Sequence, residues 1–290
     1  MRFRIILLLS LFAAMAGCSR VDTLRFAHAN AGTPVEWPGD EAVIALELQI
    51  TPDGSPWVPV SVDGNPSVPF LLQASAGAIA LTGARADGFG PAGAGTIRLS
   101  RELLPGIDGG RLIKQRRLAI GDLVLGDQSL LLVEPEQWPH GRPGGGAAGV
   151  LGYDLLRRFK VELDIAGRHF RLYRRGAVVP GDADVRRLVI IDRLPYFETW
   201  MEYSPGTGRW IRLQFEPAAD VGVCLDDDPR PGRITLAGRT VGVTPGGCQA
   251  TGGRVGRSGP SDGLLGMQAL DGLVVRIDYE RRELGFRAAE

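Results

Sequence analysis

The chain contains the sequence Gly149-Val-Leu-Gly-Tyr-Asp-Leu-Leu-Arg-Arg-Phe-Lys-Val-Glu-Leu-Asp164, which recurs 114 residues later as Gly263-Leu-Leu-Gly-Met-Gln-Ala-Leu-Asp-Gly-Leu-Val-Val-Arg-Ile-Asp278. Extended to Leu172 and Phe286, the two copies align over 24 positions without a gap. Seven positions are identical, namely Gly149/Gly263, Leu151/Leu265, Gly152/Gly266, Leu156/Leu270, Val161/Val275, Asp164/Asp278 and Arg168/Arg282. A repeat of this length indicates two related structural units in one chain.

The sequence around the repeat consists of short apolar runs separated by turn residues. Trp57–Val62 and Val68–Leu72 flank Asp63-Gly64, and a second pair of runs flanks Gly126-Asp127. Asp-Gly between apolar runs is typical of a β-hairpin. The 41 glycines among 290 residues also favour many tight turns. We therefore predict a mostly β protein, with one short helix near Tyr153–Phe159.

The N-terminus has the features of an export signal. Met1–Arg4 is basic, and Ile5–Ala16 is apolar but too short to cross a bilayer as a helix. The small residues before Cys18 resemble a bacterial lipobox, which implies cleavage before Cys18 and lipidation of its thiol. The alternative is an ordinary secretory signal. Because Ser19 and not Asp follows, family analogy places the anchored protein in the bacterial cell envelope, at the outer membrane facing the periplasm.

These features divide the chain into four segments. Residues 1–17 are predicted to be a lipoprotein signal peptide and residues 18–40 a tether without periodicity. Residues 41–175 and 185–290 are predicted to be two related lobes, joined within Arg174–Asp184.

Composition excludes several classes of function. Lys and Arg total 33, as do Asp and Glu, so no excess of positive charge indicates nucleic acid binding. No pattern indicates a cofactor, and the three histidines are scattered, so a metal site has little support. With Cys18 lipidated, Cys224 and Cys248 remain, either as a disulfide in an oxidising compartment or as two buried thiols.

The two units together resemble the pepsin and retropepsin family of aspartic proteases. Each unit combines an extended hairpin, an apolar strand ending at a turn, a second hairpin, an apolar-apolar-Gly segment with a short helix, and a closing hairpin with Asp. The resemblance covers nearly all of residues 42–288 and is most specific in the repeated segment. It implies two β-barrel lobes with a cleft between them.

In that family the first strand of each lobe ends in Asp-Thr/Ser-Gly-Ala. The two aspartates share one proton, because two carboxylates so close together cannot both ionise. One carboxylate then activates water while its protonated partner polarises the scissile carbonyl. The resemblance further implies that the hydroxyl residues tie the two loops together.

This sequence departs from the pattern at both loops. Gln73 and Glu216 stand at the positions of the two aspartates, so no proton-sharing pair of carboxylates can form. The remaining motif positions are Ala74, Ser75 and Ala76 in the first lobe and Pro217, Ala218 and Ala219 in the second. We predict that the site is inactive as an aspartic protease, because a catalytic group displaced by about 1 Å can lose on the order of 10²-fold in rate. We therefore interpret the two loops as a vestigial, solvated site. The alternative is Glu216 acting as a base with Gln73 as an amide donor.

Other motifs are weaker. Ser75 partly resembles a hydrolase nucleophile with His140 and His169 downstream, but it lacks the strand–turn–helix context of that motif. Gly93-Ala-Gly95 lacks the third glycine and the βαβ unit of a dinucleotide site. Asp226-Asp227-Asp228 lacks the ligand spacing of a calcium loop.

The predicted function is therefore binding. By the resemblance, residues 90–96 and 252–259 form mobile loops near a cleft that accepts an extended chain. The partner would be an extended peptide or an envelope protein, held by a lipid-anchored pseudoprotease. The alternatives are an active atypical endopeptidase and a structural envelope lipoprotein.

Overall fold

A computed structural model describes most of the chain after the predicted signal peptide. The described residues are 28–52, 54–83, 96–98, 104, 107, 109–138, 146–226, 230–246, 248 and 261–289. Cys18, His140 and the predicted loop at 252–259 lie outside them, as does all of the loop at 90–96 except Thr96.

The predicted fold class is confirmed, because strands dominate the chain. Those preceding residue 175 are β1 (Val35–Glu36), β2 (Val43–Glu47), β3 (Gln49–Ile50), β4 (Pro56–Val62), β5 (Val68–Leu72), β6 (Ala80–Thr82), β7 (Thr96–Arg98), β8 (Gly109–Ile120), β9 (Leu123–Val133), β10 (Gly149–Leu151), β11 (Lys160–Asp164) and β12 (His169–Tyr173). Those following are β13 (Asp184–Ile191), β14 (Leu194–Ser204), β15 (Thr207–Phe215), β16 (Val223–Leu225), β17 (Gly232–Leu236), β18 (Arg239–Thr244), β19 (Gly263–Leu265), β20 (Leu273–Asp278) and β21 (Glu283–Ala288).

Helical structure is short. The predicted helix runs only over Tyr153–Leu156 (α1), because the chain turns after Leu156 so that Phe159 enters the core and β11 begins at Lys160. In the described part of the chain, 3₁₀ turns occur at Pro135–Gln137 and Met267–Leu270. Among the described residues, no helix is long and apolar enough to span a membrane.

Each lobe is a closed barrel of six strands. In the first lobe the order is β9-β6-β10-β5-β4-β8, and pairing of β8 with β9 closes the ring. In the second lobe the order is β15-β19-β16-β18-β17-β14, and pairing of β14 with β15 closes it. The equivalent strands follow the repeat, since β10 lies parallel to β5 as β19 lies parallel to β15. Closure leaves no free edge in either ring.

A central six-stranded sheet joins the two barrels, in the order β2-β12-β11-β20-β21-β13. Its middle pair, β11 and β20, consists of the repeated sequence itself. Glu162 lies opposite Arg276, which is its own equivalent in the repeat, so a pseudo-twofold axis passes between these residues. The two lobes are therefore held together by backbone hydrogen bonds between the two copies of one motif.

The repeat also explains the turns of this sheet. Asp164 Oδ1 accepts a hydrogen bond from the Gly167 N–H at 2.7 Å, and Asp278 Oδ1 accepts one from the Arg281 N–H at 2.9 Å. Each aspartate thereby closes a tight turn and has a structural role.

The segment predicted as a tether is partly docked on the first lobe. Asn30 is fully buried, and its side chain donates to the Ser129 carbonyl at 2.9 Å and accepts from the Ser129 N–H at 2.7 Å. The Gly126 N–H donates to the Pro34 carbonyl at 3.0 Å, and β1 pairs with β9. The docked part lacks hydrophobic periodicity because polar and backbone groups hold it. Within the segment 18–40 that is predicted to be a tether, residues 30–36 therefore contact the first lobe.

The repeated glycines are required by close packing. A Cβ atom at Gly152 would overlap the Ala76 carbonyl oxygen, and one at Gly266 would meet the Ala219 carbonyl oxygen at 2.6 Å. Both carbonyls belong to the turns that follow β5 and β15. The absence of a side chain at each glycine lets one of these turns pack against the start of the helical segment that follows the glycine.

We predict that Gly152→Ala destabilises the fold by about 1–3 kcal/mol, since relief of the overlap requires a backbone shift. Urea unfolding would measure the loss. Gly242→Ala is the matched control, because a Cβ there meets nothing within 4 Å. Equal stability of the two variants would contradict the packing argument.

Candidate functional site

The two turns predicted to carry the site have the same backbone structure. We call residues 73–77 the first loop and residues 216–220 the second loop. The Gln73 N–H donates to the Leu151 carbonyl, and the Glu216 N–H donates to the Leu265 carbonyl, both at 3.0 Å. Within each loop, the residue three positions later donates back to Gln73 or Glu216 at 3.1 Å. Gln73 and Glu216 therefore occupy equivalent positions, one in each lobe.

The side chain of Glu216 crosses from the second loop to the first. Its Oε2 accepts a hydrogen bond from the Ser75 N–H at 2.7 Å, and its Oε1 accepts one from the Ala74 N–H at 3.2 Å. Oε1 also accepts from the Ala218 N–H in its own loop at 3.1 Å. We call the two contacts with the first loop the interloop bridge. They use the carboxylate to hold the lobes together.

The Glu216 carboxyl group is withdrawn from solvent, with only 1% of the residue exposed. Burial raises its pKa above the usual range, while hydrogen bonds from Ser75, Ala218 and Ala74 oppose that rise. Both oxygens face backbone N–H groups, so neither is directed at a substrate. This corrects the expectation of a solvated vestigial site: the extra methylene of Glu lets the carboxylate reach the facing backbone.

Gln73 is the more accessible member of the pair. It is half-buried, and its Nε2 donates to the Ser75 Oγ at 3.1 Å. A carboxamide does not titrate in the physiological pH range, so Gln73 supplies neither an acid nor a base. Its contact with Ser75 fixes the shape of the first loop.

Ser75 is not accessible to a substrate, and its side chain is hydrogen-bonded to Glu216. It is fully buried between Gln73 and Glu216. His169 lies instead in the central sheet, with its Nδ1 3.7 Å from Asp164 Oδ2. His140 lies outside the described residues.

Two further contacts between the lobes flank the interloop bridge. Ser55 Oγ, in the turn before β4, donates to the Ala218 carbonyl at 2.9 Å. Arg193 Nη1, in the turn before β14, donates to the Gly77 carbonyl at 3.0 Å. Each loop is therefore contacted by a turn of the opposite lobe, which fixes the geometry on both sides of the pseudo-twofold axis.

Asp154 lies in α1, behind the first loop. It is fully buried, and burial raises its pKa from 3.8 to about 6. The charges of Arg193 and Arg157 oppose this rise but do not cancel it. At neutral pH the folded chain therefore holds a buried carboxylate beside Arg193, the residue that contacts the Gly77 carbonyl.

The second loop also lies beside a disulfide. Cys224, in β16, is bonded to Cys248, with 5.4 Å between the Cα atoms. Both cysteines pack with Ala219 and Leu264. Within the described residues, no group of three or more His, Cys, Asp or Glu side chains is placed to hold a metal. Of the acidic triplet, Asp227 and Asp228 lie outside those residues.

The sequence analysis missed Ser55, Arg193 and Asp154 as parts of this site. Arg193 follows Asp192 in a two-residue hairpin turn, and both residues adopt positive φ angles of 50° and 70°. The turn itself is recognisable from an acidic residue between two apolar runs. That its arginine contacts the opposite lobe depends on the relative placement of the lobes, which no local pattern encodes.

The chain has no match among protein-family models or curated proteins. Its fold is similar to that of solved structures, among them the crystal structure of Basic 7S globulin from soybean. That similarity covers 87% of this chain and 96% of the globulin at 11% identity, with a TM-score of 0.52. At this identity the comparison shows the fold alone, which is a bilobal pepsin-like fold.

We predict that Asp154 makes stability depend on pH. Its pKa is higher in the folded chain, so its contribution is complete below about pH 4 and is lost as the pH rises through about 6. Relative to Asp154→Asn, the unmodified chain should lose up to roughly 3 kcal/mol of unfolding free energy between pH 4 and pH 8. Urea unfolding at both pH values measures this difference.

Asp122→Asn, at an exposed position of the β8–β9 turn, serves as the control and should follow the unmodified chain. If Asp154→Asn and the unmodified chain have the same pH profile, Asp154 does not carry the effect.

Proposed function

We propose that this chain is a pseudoprotease that binds an extended peptide segment, presented by an envelope protein, without cleaving it. The observation that carries the proposal is the interloop bridge. It occupies the carboxylate of Glu216, which is the one acid left at the positions where the family has its two aspartates. The partner is a hypothesis that follows from the fold and from the chemistry left at its centre.

Proteolysis by this fold needs two carboxyl groups that share a proton and face a water molecule. Gln73 provides no carboxyl group, and the Glu216 oxygens accept hydrogen bonds from three backbone N–H groups. A water molecule between the loops would therefore have no strong base. A general base must lie within hydrogen-bonding distance of the proton that it removes. The chemical step is lost while the scaffold remains.

Several features support binding. Two closed barrels meet at loops held by the interloop bridge, by Ser55 and by Arg193, so their relative placement is fixed before any partner arrives. Preorganisation lowers the cost of ordering on association. Extended peptides bind such scaffolds by adding a strand, through backbone hydrogen bonds that do not require a catalytic residue. Strand β7 pairs with β8 to extend the first sheet at its edge.

The cellular setting belongs to the same proposal. The basic start, short apolar segment and Cys18 support export and lipidation. An anchored pseudoprotease would present its cleft to peptide segments in the periplasm.

The test combines binding and cleavage on the same peptides. The purified full chain is titrated with fluorescent peptides of varied sequence, each about ten residues long, and the products are examined by mass spectrometry from pH 3 to pH 7. We expect saturable binding with intact peptides. Gln73→Trp, which fills the half-exposed position between the loops, should weaken binding about tenfold or more by steric exclusion.

Val178→Arg is the control, because this residue is 92% exposed and lies in the connection between the lobes. Cleavage that disappears in Glu216→Ala would identify an active peptidase and contradict the proposal. Absence of binding across the set would instead support a structural lipoprotein.

A further inference from the structure

A cavity of about 510 Å³ opens on the first lobe and shares no lining residue with the first or second loop. One wall is the docked N-terminal segment, including Gly32, Val35 and Trp37. The opposite wall is formed by the residues that follow α1 and by those that follow β12. The side chains on that wall are Arg157, Arg158, Phe159, Arg174 and Arg175. We call this cavity the arginine pocket.

Two of its arginines are held by aromatic rings, although Arg157 also interacts electrostatically with the buried Asp154. The guanidinium carbon of Arg157 lies 5.4 Å from the centre of the Tyr153 ring, and that of Arg174 lies 5.9 Å from the centre of the Trp37 ring. Neither forms a salt bridge within the described part of the chain. Their planar donor groups are thus held by aromatic rings and remain able to bind an anion.

The other two arginines have defined structural partners. Arg158 Nη2 donates to the Thr33 carbonyl at 2.6 Å, which holds the docked segment in place. Arg175 pairs with Glu280 at 3.1 Å. Burial, followed by the neighbouring Arg157, lowers the pKa of Arg158. Asp154 offsets part of this repulsion from inside the lobe. Because the four arginines of the lining outnumber Asp154 and Glu280, the pocket still has an excess of positive charge.

The pocket also has an apolar surface. The rings of Trp37 and Phe159 lie 5.9 Å apart, and Val35 lies beside them. A ligand that satisfies both parts carries an anionic group next to carbon-rich atoms. The volume lies within the range of small-molecule sites, roughly 300–1,000 Å³.

We propose that the arginine pocket binds the phosphate group of an anionic lipid headgroup. A guanidinium matches a phosphate through two parallel N–H donors, and a glycerol backbone suits the adjoining rings. The assignment to lipid rests on the lipid anchor of the proposed function. Only residues 19–27 separate Cys18 from the described chain, and nine residues span at most about 30 Å. The pocket wall begins at Asn30, a few residues after this nine-residue segment. Lipid headgroups around a lipidated Cys18 would therefore lie within reach of the pocket.

Short-chain lipids test the pocket apart from the anchor. The full chain carrying Cys18→Ser is titrated by calorimetry with dihexanoyl phosphatidylglycerol below its micelle concentration, with dihexanoyl phosphatidylcholine and with inorganic phosphate. We expect phosphatidylglycerol to bind most tightly. We expect Arg157→Gln combined with Arg174→Gln to weaken its binding about tenfold or more, since two charged donors are lost.

Arg187→Gln is the matched control, an exposed arginine on β13 that should leave binding unchanged. Near-ultraviolet circular dichroism checks that the double variant keeps its fold. Phosphate binding as tight as that of phosphatidylglycerol would assign the pocket to free phosphate compounds and overturn the lipid assignment. Absence of saturable binding, or equal binding by the double variant, would overturn the site itself. Because the pocket shares no lining residue with the first or second loop, neither outcome bears on the pseudoprotease assay.

Discussion

The interloop bridge is the interaction on which the centre of this molecule depends. A buried carboxylate needs partners, because transfer of a charge from water to a protein interior is costly unless it is paired or hydrogen-bonded. Glu216 meets that need with three backbone N–H groups, two of which belong to the opposite lobe. Removal of the side chain would leave those donors buried without acceptors, so Glu216 has a structural role at this position.

The bridge acts together with the central sheet. Pairing of β11 with β20 fixes one region of the lobe interface, and the loops with Ser55 and Arg193 fix another. The lobes are thus joined by backbone pairing of the repeat and by side-chain contacts at the first and second loops.

The two barrels could be predicted from the sequence because each copy of the repeat is a continuous segment and the two copies align without a gap. The repeat places Leu151 with Leu265, and the hydrogen bonds of Gln73 and Glu216 follow that equivalence. The direction of the Glu216 side chain could not be predicted, because it depends on loops 142 positions apart. Asn30 was missed for a similar reason: one polar side chain holds its segment by contacts with Ser129, 99 positions away.

Hydrogen exchange at the Ala74 and Ser75 amides tests the central claim most directly, since both protons point at the Glu216 carboxylate. The account predicts that both amides exchange at least about 100-fold more slowly than an unprotected loop, as expected for hydrogen-bonded buried amides. It also predicts that Glu216→Gln, which keeps the shape but replaces one oxygen with a donor, speeds exchange at one or both positions. Rapid exchange in the unmodified chain, unchanged in Glu216→Gln, would contradict the claim that this carboxylate holds the two lobes together.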